Sequence, residues 1–236
     1  STLNFLRKQF PDKQIAIADE KEVEIENQDR LVKFFGENYL DQLQNYELII
    51  KTAGIPLRTP AIQAAIAQGS EILSNTQIFF TLCEGKIIGI TGTKGKSTTS
   101  KLIYEILRTT YPNTVLLGNI GEAALNQLTN IQSDTLVVDE LSCHQLAELQ
   151  ASPKIAVLLE IKAEHLDYYQ NFSEYFRAKT ALVRYQKKDD HLILDLDLES
   201  SQQMAQLSKA KLQNYSLKNK NAIVYQDEGQ IFYEKE

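Results

Sequence analysis

The chain has few of the residues that build metal centres or disulfide frameworks. Its 236 residues include two cysteines, Cys83 and Cys143, and three histidines. The cysteines lie far apart in the sequence and, together with the scattered histidines, form no zinc-binding motif. This composition argues against a disulfide scaffold and favours a reducing, cytoplasmic environment.

Long apolar runs and an excess of basic residues are also missing. No stretch reaches the roughly 20 apolar residues that a membrane helix needs, and no signal peptide opens the chain. The formal net charge of −6 argues against sequence-independent binding to nucleic acid. We therefore expect neither membrane insertion nor a nucleic-acid partner, while a local basic site for phosphate is compatible with this charge.

The length and composition that are present indicate a globular protein of about two domains. Apolar residues make up 43% and charged residues 24% of the chain, which are ordinary values. A chain of this size buries a core without disulfide staples. Glu84-Gly85 is typical of a short joint, so we predict two units, residues 1–84 and residues 85–236.

Apolar runs alternate with helical patterns over most of the chain. The strand-like runs are residues 15–18, 48–50, 86–91, 115–117, 135–138, 155–159 and 192–194. Continuous apolar strands separated by helices predict an α/β fold with a mostly parallel sheet that is covered on both faces. The last part differs, because two runs flank Asp227-Glu228-Gly229 and predict a hairpin.

A glycine-rich turn follows the strand at residues 86–91 and precedes a helix predicted from Lys96 to about Thr109. The turn consists of Gly92, Thr93, Lys94, Gly95, Lys96, Ser97 and Thr98. Glycines let backbone N–H groups point at phosphate oxygens, and the helix N-terminus adds positive partial charge. In such a loop Lys96 neutralises the β and γ phosphates, and Ser97 ligates Mg²⁺. We predict an ATP phosphate-binding loop of the form TGTxGK[ST], with Ile90 at the first glycine position of the usual GxxxxGK[ST] pattern.

This loop and three later motifs resemble those of the Mur ligase family, which includes the peptidoglycan ligases and folylpolyglutamate synthetase. Residues 118–121 read GNIG, residues 139–146 read DELSCHQL, and residues 164–167 read EHLD ahead of Ala178-Lys179. The second motif is similar to the ELSSFQL segment of the family member that adds D-glutamate. The resemblance spans Leu48 to about Asp197.

The resemblance implies a fold, an activity and a location. Residues 1–84 resemble an incomplete Rossmann-like domain that binds a UDP-linked precursor, and residues 85–236 resemble a P-loop ATPase domain that is incomplete at its C-terminal end. The implied enzyme uses ATP and Mg²⁺ to ligate D-glutamate to UDP-N-acetylmuramoyl-L-alanine in peptidoglycan precursor synthesis. ATP phosphorylates the substrate carboxylate, and the D-glutamate amine attacks the acyl phosphate to give an amide. We expect a cytoplasmic monomer.

The resemblance also implies roles for single residues of the ATP site. Glu140 and His165 match residues that hold Mg²⁺ in the family. Lys179 matches a lysine that is carbamylated in these ligases, which turns a cation into an anion that bridges or orients Mg²⁺. The expected catalytic residues are Lys96, Glu140, His165 and Lys179. The expected metal site is Ser97, Glu140, His165 and Lys179.

Three residues match positions that hold the UDP-linked substrate. Asp19 ends a strand at the place where the family's first domain holds the uracil end. Thr52 opens the segment Thr52-Ala53-Gly54-Ile55-Pro56, which resembles the family's SPGI turn. Asn119, in the GNIG motif, is expected to orient substrate or phosphate through its side-chain amide.

Several departures from the family pattern leave alternatives open. Glu160 stands where many relatives have Asn, Glu164 replaces the commoner Asp, and Cys143-His144 replaces Ser-Phe. A glycine loop before Ser1 and a C-terminal amino-acid-binding domain are missing from these residues, so we expect a fragment that binds MgATP weakly and does not ligate alone. The alternatives are a Mur ligase for another amino acid or for folylpolyglutamate, a P-loop NTPase of another class, and a non-catalytic nucleotide-binding relative.

Overall fold

The computed structural model describes residues 2–25, 28–119, 123–164 and 168–233. Contacts divide the chain into two compact units, Ser1–Ile78 and Phe79–Glu236. Within the described ranges, no helix has both the length and the apolar character that crossing a membrane requires.

The first unit is built from short helices and two separate pairs of parallel strands. Its elements, in chain order, are α1 (Thr2–Gln9), β1 (Ile15–Asp19), β2 (Leu31–Phe35), β3 (Leu48–Lys51), α2 (Pro60–Ala67), β4 (Glu71–Ser74) and the first part of α3 (Asn75–Leu82). β1 pairs with β2, and β3 pairs with β4. Pro60 is the first residue of α2, where its fixed φ suits the helix. An N–H at this position would have no acceptor within the helix, so its absence in proline costs no hydrogen bond. Ile62 and Ala65 of α2 pack on Leu43 and Ile49 to form the core.

The second unit contains an eight-stranded sheet with helices on both faces. Its elements are β5 (Lys86–Thr91), α4 (Lys96–Thr110), β6 (Thr114–Gly118), α5 (Ala124–Gln127), β7 (Leu136–Glu140), α6 (Cys143–Leu146), β8 (Ile155–Leu158), α7 (Phe172–Lys179), α8 (Ala181–Arg184), β9 (His191–Asp195), α9 (Glu199–Leu207), β10 (Lys211–Ser216), β11 (Val224–Asp227) and β12 (Gln230–Tyr233). The strand order is β12-β11-β10-β9-β8-β5-β7-β6, and every pair except β11 and β12 is parallel. This confirms the predicted α/β fold with a mostly parallel sheet.

Alternating side chains of the central strands face two different cores. Ile90 and Val157 pack with residues of α4 on one face. Ala156 and Leu158 pack on the other face with α7, α8 and α9, where Tyr175 is a large buried member. Both faces of the sheet are therefore shielded from water. This explains why the central strands are continuous apolar runs in which polar residues do not alternate with apolar ones.

The strand order changes direction at β5. From β5 the chain first builds β6 and β7 on one side and then crosses to β8 on the other side. In open parallel sheets, loops diverge at such a reversal and leave room for a ligand at the carboxyl ends of the strands. The glycine-rich loop after Thr91 lies at this edge.

The hairpin predicted near the C-terminal end is confirmed. β11 and β12 are antiparallel, with Asp227 opposite Gln230. The two residues between them, Glu228 and Gly229, have φ angles of 46° and 80°. Positive φ at both central residues is the signature of the turns that suit the twist of two-residue hairpins.

Candidate active site

The glycine-rich loop connects the end of β5 to the start of α4 and depends on two glycines. Gly95 lies directly before α4 with a φ of 82°, a left-handed conformation that side chains disfavour. A Cβ atom at Gly92 would lie 2.6 Å from the Cβ atom of Leu159, a distance that real Cβ contacts do not reach. The loop therefore needs one glycine for its backbone conformation and the other for its close packing.

Lys96 lies at the first turn of α4 and folds its side chain over the loop. Its Nζ donates hydrogen bonds to the carbonyl oxygens of Gly92, at 3.0 Å, and Thr93, at 2.9 Å. The first N–H groups of α4 have no acceptor within the helix, so this end of the helix suits an anion. The other polar loop residues assigned to nucleotide binding are exposed: Lys94, Ser97 and Thr98.

Thr93 differs from the other loop residues because the protein itself occupies its polar groups. Its N–H donates to the carbonyl oxygen of Glu160 at 2.8 Å. Its hydroxyl donates to the carbonyl oxygen of Lys162 at 3.0 Å and accepts from the Lys162 N–H at 2.8 Å. These bonds fasten the loop to the segment that follows β8.

Lys179, from the last turn of α7, reaches the same loop. Its side chain is buried, and its Nζ donates to Thr91 Oγ1 at 3.2 Å and to the Gly92 carbonyl oxygen at 3.1 Å. Lys96 and Lys179 therefore share one carbonyl acceptor. Burial, and to a smaller extent the nearby Lys96 ammonium, lower the pKa of Lys179 from 10.5 to about 8.

The lowered pKa of Lys179 predicts how stability depends on pH. Between about pH 8 and pH 10.5 the unfolded chain binds this proton and the folded chain has lost it, so the free energy of unfolding rises with pH. We expect the wild type to gain stability relative to Lys179→Met across this window, with a slope of up to about 1.4 kcal/mol per pH unit. Denaturant unfolding of both proteins from pH 7 to pH 10.5 measures the difference. A difference that stays constant with pH would contradict the prediction.

Two adjacent carboxyl groups end β7 beside the loop. Glu140 is 1% exposed, and its Oε2 has no hydrogen-bond partner among the described residues. Burial, and secondarily the charge of Glu140, raise the pKa of Asp139 to about 7. A buried carboxylate oxygen without a partner is costly unless a cation or donor meets it, so Glu140 fits a Mg²⁺ ligand.

Within the described ranges, few protein side chains besides Glu140 could serve as metal ligands. No three His, Cys, Asp or Glu side chains cluster there as a metal-binding set. Mg²⁺ commonly uses one or two carboxylates and takes its other ligands from water and substrate phosphates. A single protein carboxylate beside a phosphate-binding loop is compatible with this mode of Mg²⁺ coordination. His165 lies outside the described residues.

The GNIG motif begins where β6 ends, against the backbone of Glu140. Gly118 has a φ of 101° and is paired with Glu140 in the sheet. The N–H of Asn119 donates to the Glu140 carbonyl oxygen at 3.1 Å. The register of β6 and β7 thus places Asn119 next to the candidate metal ligand, while the next two residues of the motif lie outside the described part of the chain.

The DELSCHQL motif contains a helix cap that was not predicted from the sequence. Ser142 accepts from the Gln145 N–H at 3.2 Å, and the Gln145 side chain accepts from the Ser142 N–H at 2.9 Å. This reciprocal pair is a capping box, for which Ser-x-x-Gln ahead of a helix is the sequence signal. Cys143 is buried, and His144 stacks edge-on against Tyr168 with 4.3 Å between ring centroids. Cys143 therefore belongs to the core, and the half-buried His144 packs against an aromatic ring beside it.

The two residues assigned to the UDP end of the substrate line one cavity in the first unit. Asp19 and Thr52 are both at the rim of this cavity of about 910 Å³, which runs along β1 and β3. Asp19 is exposed, and its carboxylate accepts the N–H of Lys21 at 2.9 Å. Lys51 is buried in the same wall, and its Nζ donates to the Thr52 carbonyl oxygen at 3.3 Å.

Further contributors to the site gave no clear signal in the sequence. Thr91 and Tyr175 both contact Lys179. The only available hint for Tyr175 is its position four residues before Lys179, which places both on one face of a helix. Glu160, which stands where many relatives have Asn, pairs with Lys162 at 2.9 Å, and its side chain is 46% exposed.

Comparison with known proteins relates these motifs to one family. A family model described as the Mur ligase middle domain matches residues 90–236. The UDP-N-acetylmuramoylalanine--D-glutamate ligase of Acetivibrio thermocellus is 36% identical over 183 residues, which are 78% of this chain and 39% of that protein. The protein of the same name from Symbiobacterium thermophilum is 41% identical over 162 residues, 69% of this chain and 36% of that protein. The chain thus spans less than half the length of these curated relatives.

Solved structures share the fold at low sequence identity. UDP-N-acetylmuramate:L-alanyl-gamma-D-glutamyl-meso-diaminopimelate ligase from Neisseria meningitides has a TM-score of 0.56 at 16% identity, covering 88% of this chain and 73% of its own. A UDP-N-acetylmuramoyl-L-alanyl-D-glutamate--2,6-diaminopimelate ligase has a TM-score of 0.53 at 21% identity, covering 75% of this chain and 47% of its own. Because the family model covers more than half of the residues, the resemblance seen in the motifs is confirmed, and the chain belongs to the Mur ligase family.

Proposed function

We propose that this chain is part of an ATP-dependent amide ligase that adds D-glutamate to UDP-N-acetylmuramoyl-L-alanine in peptidoglycan precursor synthesis. The observation that carries the proposal is the meeting of Lys96 and Lys179 at the Gly92 carbonyl oxygen, at 3.0 Å and 3.1 Å. This brings the side chains of two lysines to a glycine-rich loop ahead of a helix N-terminus. The names of the relatives at 36% and 41% identity support the choice of D-glutamate.

The loop residues suit phosphoryl transfer more than nucleophilic catalysis by a side chain. Lys96 and the N–H groups of α4 neutralise the β and γ phosphates of ATP, and the exposed Ser97 hydroxyl and the Glu140 carboxylate hold Mg²⁺. When bound, Mg²⁺ supplies charge neutralisation for the transferred phosphoryl group. His165 and Lys179, the latter after carbamylation, complete the proposed metal site.

The reaction then proceeds through an acyl phosphate. The carboxylate of the muramoyl-alanine attacks the γ phosphorus of ATP and releases ADP. The D-glutamate amine attacks the acyl carbon, and the tetrahedral intermediate expels phosphate as the amide forms. Asn119 orients the acyl group or its phosphate beside Glu140, and Asp19 and Thr52 hold the uracil end of the substrate in the first unit.

The proposal includes the place of the reaction and the division of labour along the chain. Residues 1–84 contribute to binding the UDP-linked precursor, and residues 85–236 contribute the ATP site. The reaction takes place in the cytoplasm, and the protein acts as a monomer. The chain by itself binds MgATP weakly and does not ligate.

Ligation by the full-length protein that contains this chain tests the proposal. Purified protein receives MgATP, UDP-N-acetylmuramoyl-L-alanine and one labelled amino acid, and both phosphate release and the labelled product are measured. We expect a product with D-glutamate and at least about 100-fold less with L-glutamate, L-lysine or meso-diaminopimelate, because a site built to pair with polar groups rejects analogues that leave them unpaired. Omitting ATP or Mg²⁺ is expected to remove the product.

Each other outcome identifies a different function. A product with another amino acid would assign the chain to a different ligase of the family. Nucleotide binding without a product from any acceptor would indicate a non-catalytic relative. Amide formation by the 236-residue chain alone would refute the proposal that it does not ligate by itself.

A further inference from the structure

Tyr175 lies in α7, one helical turn before Lys179, and contacts two parts of the candidate active site. Its side chain is 1% exposed. The Lys179 Nζ lies 5.0 Å from the centroid of its ring. Its hydroxyl oxygen is 3.1 Å from Thr93 Oγ1 in the phosphate-binding loop. One buried side chain therefore links the helix that carries Lys179 to the loop.

The direction of the Tyr175 hydrogen bond follows from the other partners of Thr93. Thr93 Oγ1 donates its single hydrogen to the Lys162 carbonyl oxygen and accepts from the Lys162 N–H. A hydroxyl oxygen has two lone pairs, so one remains to accept a second bond. The Tyr175 hydroxyl is the donor that fills it. All bonding positions of the Thr93 hydroxyl are then used by the protein.

The position of Thr93 controls the acceptor that both lysines share. Its backbone follows directly on the Gly92 carbonyl group, to which Lys96 and Lys179 donate. A movement of Thr93 therefore moves this carbonyl group and displaces both lysine side chains together. The hydroxyl of Tyr175 restrains that movement from α7, and its ring packs beside the end of the Lys179 side chain.

Neighbouring rings hold Tyr175 in place and provide a matched comparison. Tyr169 meets it edge-on with 5.5 Å between centroids, and Phe172 packs at 6.4 Å. Tyr169 is buried in the same cluster, and its hydroxyl makes no hydrogen bond to the described residues of the loop. Removing the Tyr169 hydroxyl thus changes the same core without breaking a bond to the loop.

We propose that Tyr175 is a positioning residue that fixes the phosphate-binding loop relative to Lys179 and thereby strengthens the binding of MgATP. The proposal rests on the proposed function, because it assigns the loop to ATP. It goes beyond that function by giving a role to a residue that the proposed function does not use. A tyrosine that only filled the core would contribute to stability and leave nucleotide affinity unchanged.

Calorimetry with Mg²⁺ and a non-hydrolysable ATP analogue tests the role of the hydroxyl. The variants of the 236-residue chain are Tyr175→Phe, Thr93→Val, the double variant Tyr175→Phe with Thr93→Val, and the control Tyr169→Phe. We expect Tyr175→Phe to weaken binding by about 3- to 10-fold, the usual worth of one hydrogen bond. The double variant is expected to match Thr93→Val, because both changes break the same bond.

Two results distinguish positioning from packing. Tyr169→Phe leaves every hydrogen bond of the loop intact and is expected to bind within about twofold of the wild type, whereas Tyr175→Phe is expected to bind more weakly. Thermal unfolding of every variant shows how much stability changes independently of affinity. Equal affinity of Tyr175→Phe and wild type, or affinity losses that simply multiply in the double variant, would overturn the proposal.

Hydrogen exchange of the free protein separates this proposal from the proposed function. The Thr93 N–H donates to the Glu160 carbonyl oxygen, so its exchange reports whether the loop is held. We expect faster exchange in Tyr175→Phe than in Tyr169→Phe. If the wild type binds no nucleotide, the assignment of the loop to ATP fails in this chain, and equal exchange in the two variants overturns the role of Tyr175 as well.

Discussion

Lys96→Ala is expected to weaken binding of a MgATP analogue by at least about 100-fold. The Lys96 Nζ lies over the loop, bonded to the carbonyl oxygens of Gly92 and Thr93. A bound polyphosphate brings several negative charges to this point, and charge-assisted hydrogen bonds to phosphate are among the strongest single contacts. Alanine removes the cation and leaves the loop carbonyl groups facing the phosphates. Calorimetry on the 236-residue chain measures the loss.

Lys101→Ala is the matched control for Lys96→Ala. Lys101 lies in the same helix with a side chain that is 57% exposed, and it pairs with Glu105 at 2.8 Å. Its replacement removes the same net charge from α4 away from the loop, and an exposed pair of this kind contributes little to stability. We expect wild-type affinity for Lys101→Ala. If both variants bound equally, the effect of Lys96 would be one of general charge, and the phosphate-binding loop would be wrongly assigned.

Gly118→Ala is expected to destabilise the second unit by at least about 3 kcal/mol, because overpacking and backbone strain act together. A Cβ atom at this position would lie 2.3 Å from the carbonyl oxygen of Glu140 and 2.7 Å from its nitrogen. These are backbone atoms of the paired strand, so they cannot rotate away as a side chain does. The φ of 101° adds strain for any residue with a side chain.

The same change is expected to disturb the candidate active site. Moving the end of β6 away from β7 breaks the bond from the Asn119 N–H to the Glu140 carbonyl oxygen. Asn119 and Glu140 then lose their common position beside the loop. Thermal unfolding is expected to show a midpoint lowered by about 6–12 °C for a unit of this size, and calorimetry is expected to show weaker binding of the MgATP analogue.

Gly229→Ala separates backbone strain from steric conflict. Gly229 has a φ of 80°, but a Cβ atom there would meet no atom within 4 Å. Its replacement is expected to cost about 1 kcal/mol, the strain of a left-handed residue alone. Comparable destabilisation by the two alanines would show that the close approach of β6 to Glu140 is not the cause.

Elements with strong local patterns were predicted from the sequence, and elements with weak patterns were not. The strand and helix on either side of the loop, β5 and α4, follow from an apolar run and from a glycine-rich turn ahead of a helical pattern. β2, β4 and β10 were missed. β4 has only four residues, and β10 is mostly polar, so neither stands out from its surroundings. Their strand conformation depends on pairing with β3 and β9.

The sequence by itself determined the glycine-rich turn between β5 and α4, the alternation of helices and strands in the second unit, and the family. Each of these depends on local conformational preference or on short motifs, which neighbouring residues specify. Only the tertiary structure decided that Lys179 shares the Gly92 carbonyl oxygen with Lys96, although 87 residues separate Lys179 from Gly92. It also decided that the Thr93 hydroxyl bonds Tyr175 and Lys162. Such contacts depend on strand order and on which helix covers which face, because burial brings together residues that no local pattern connects.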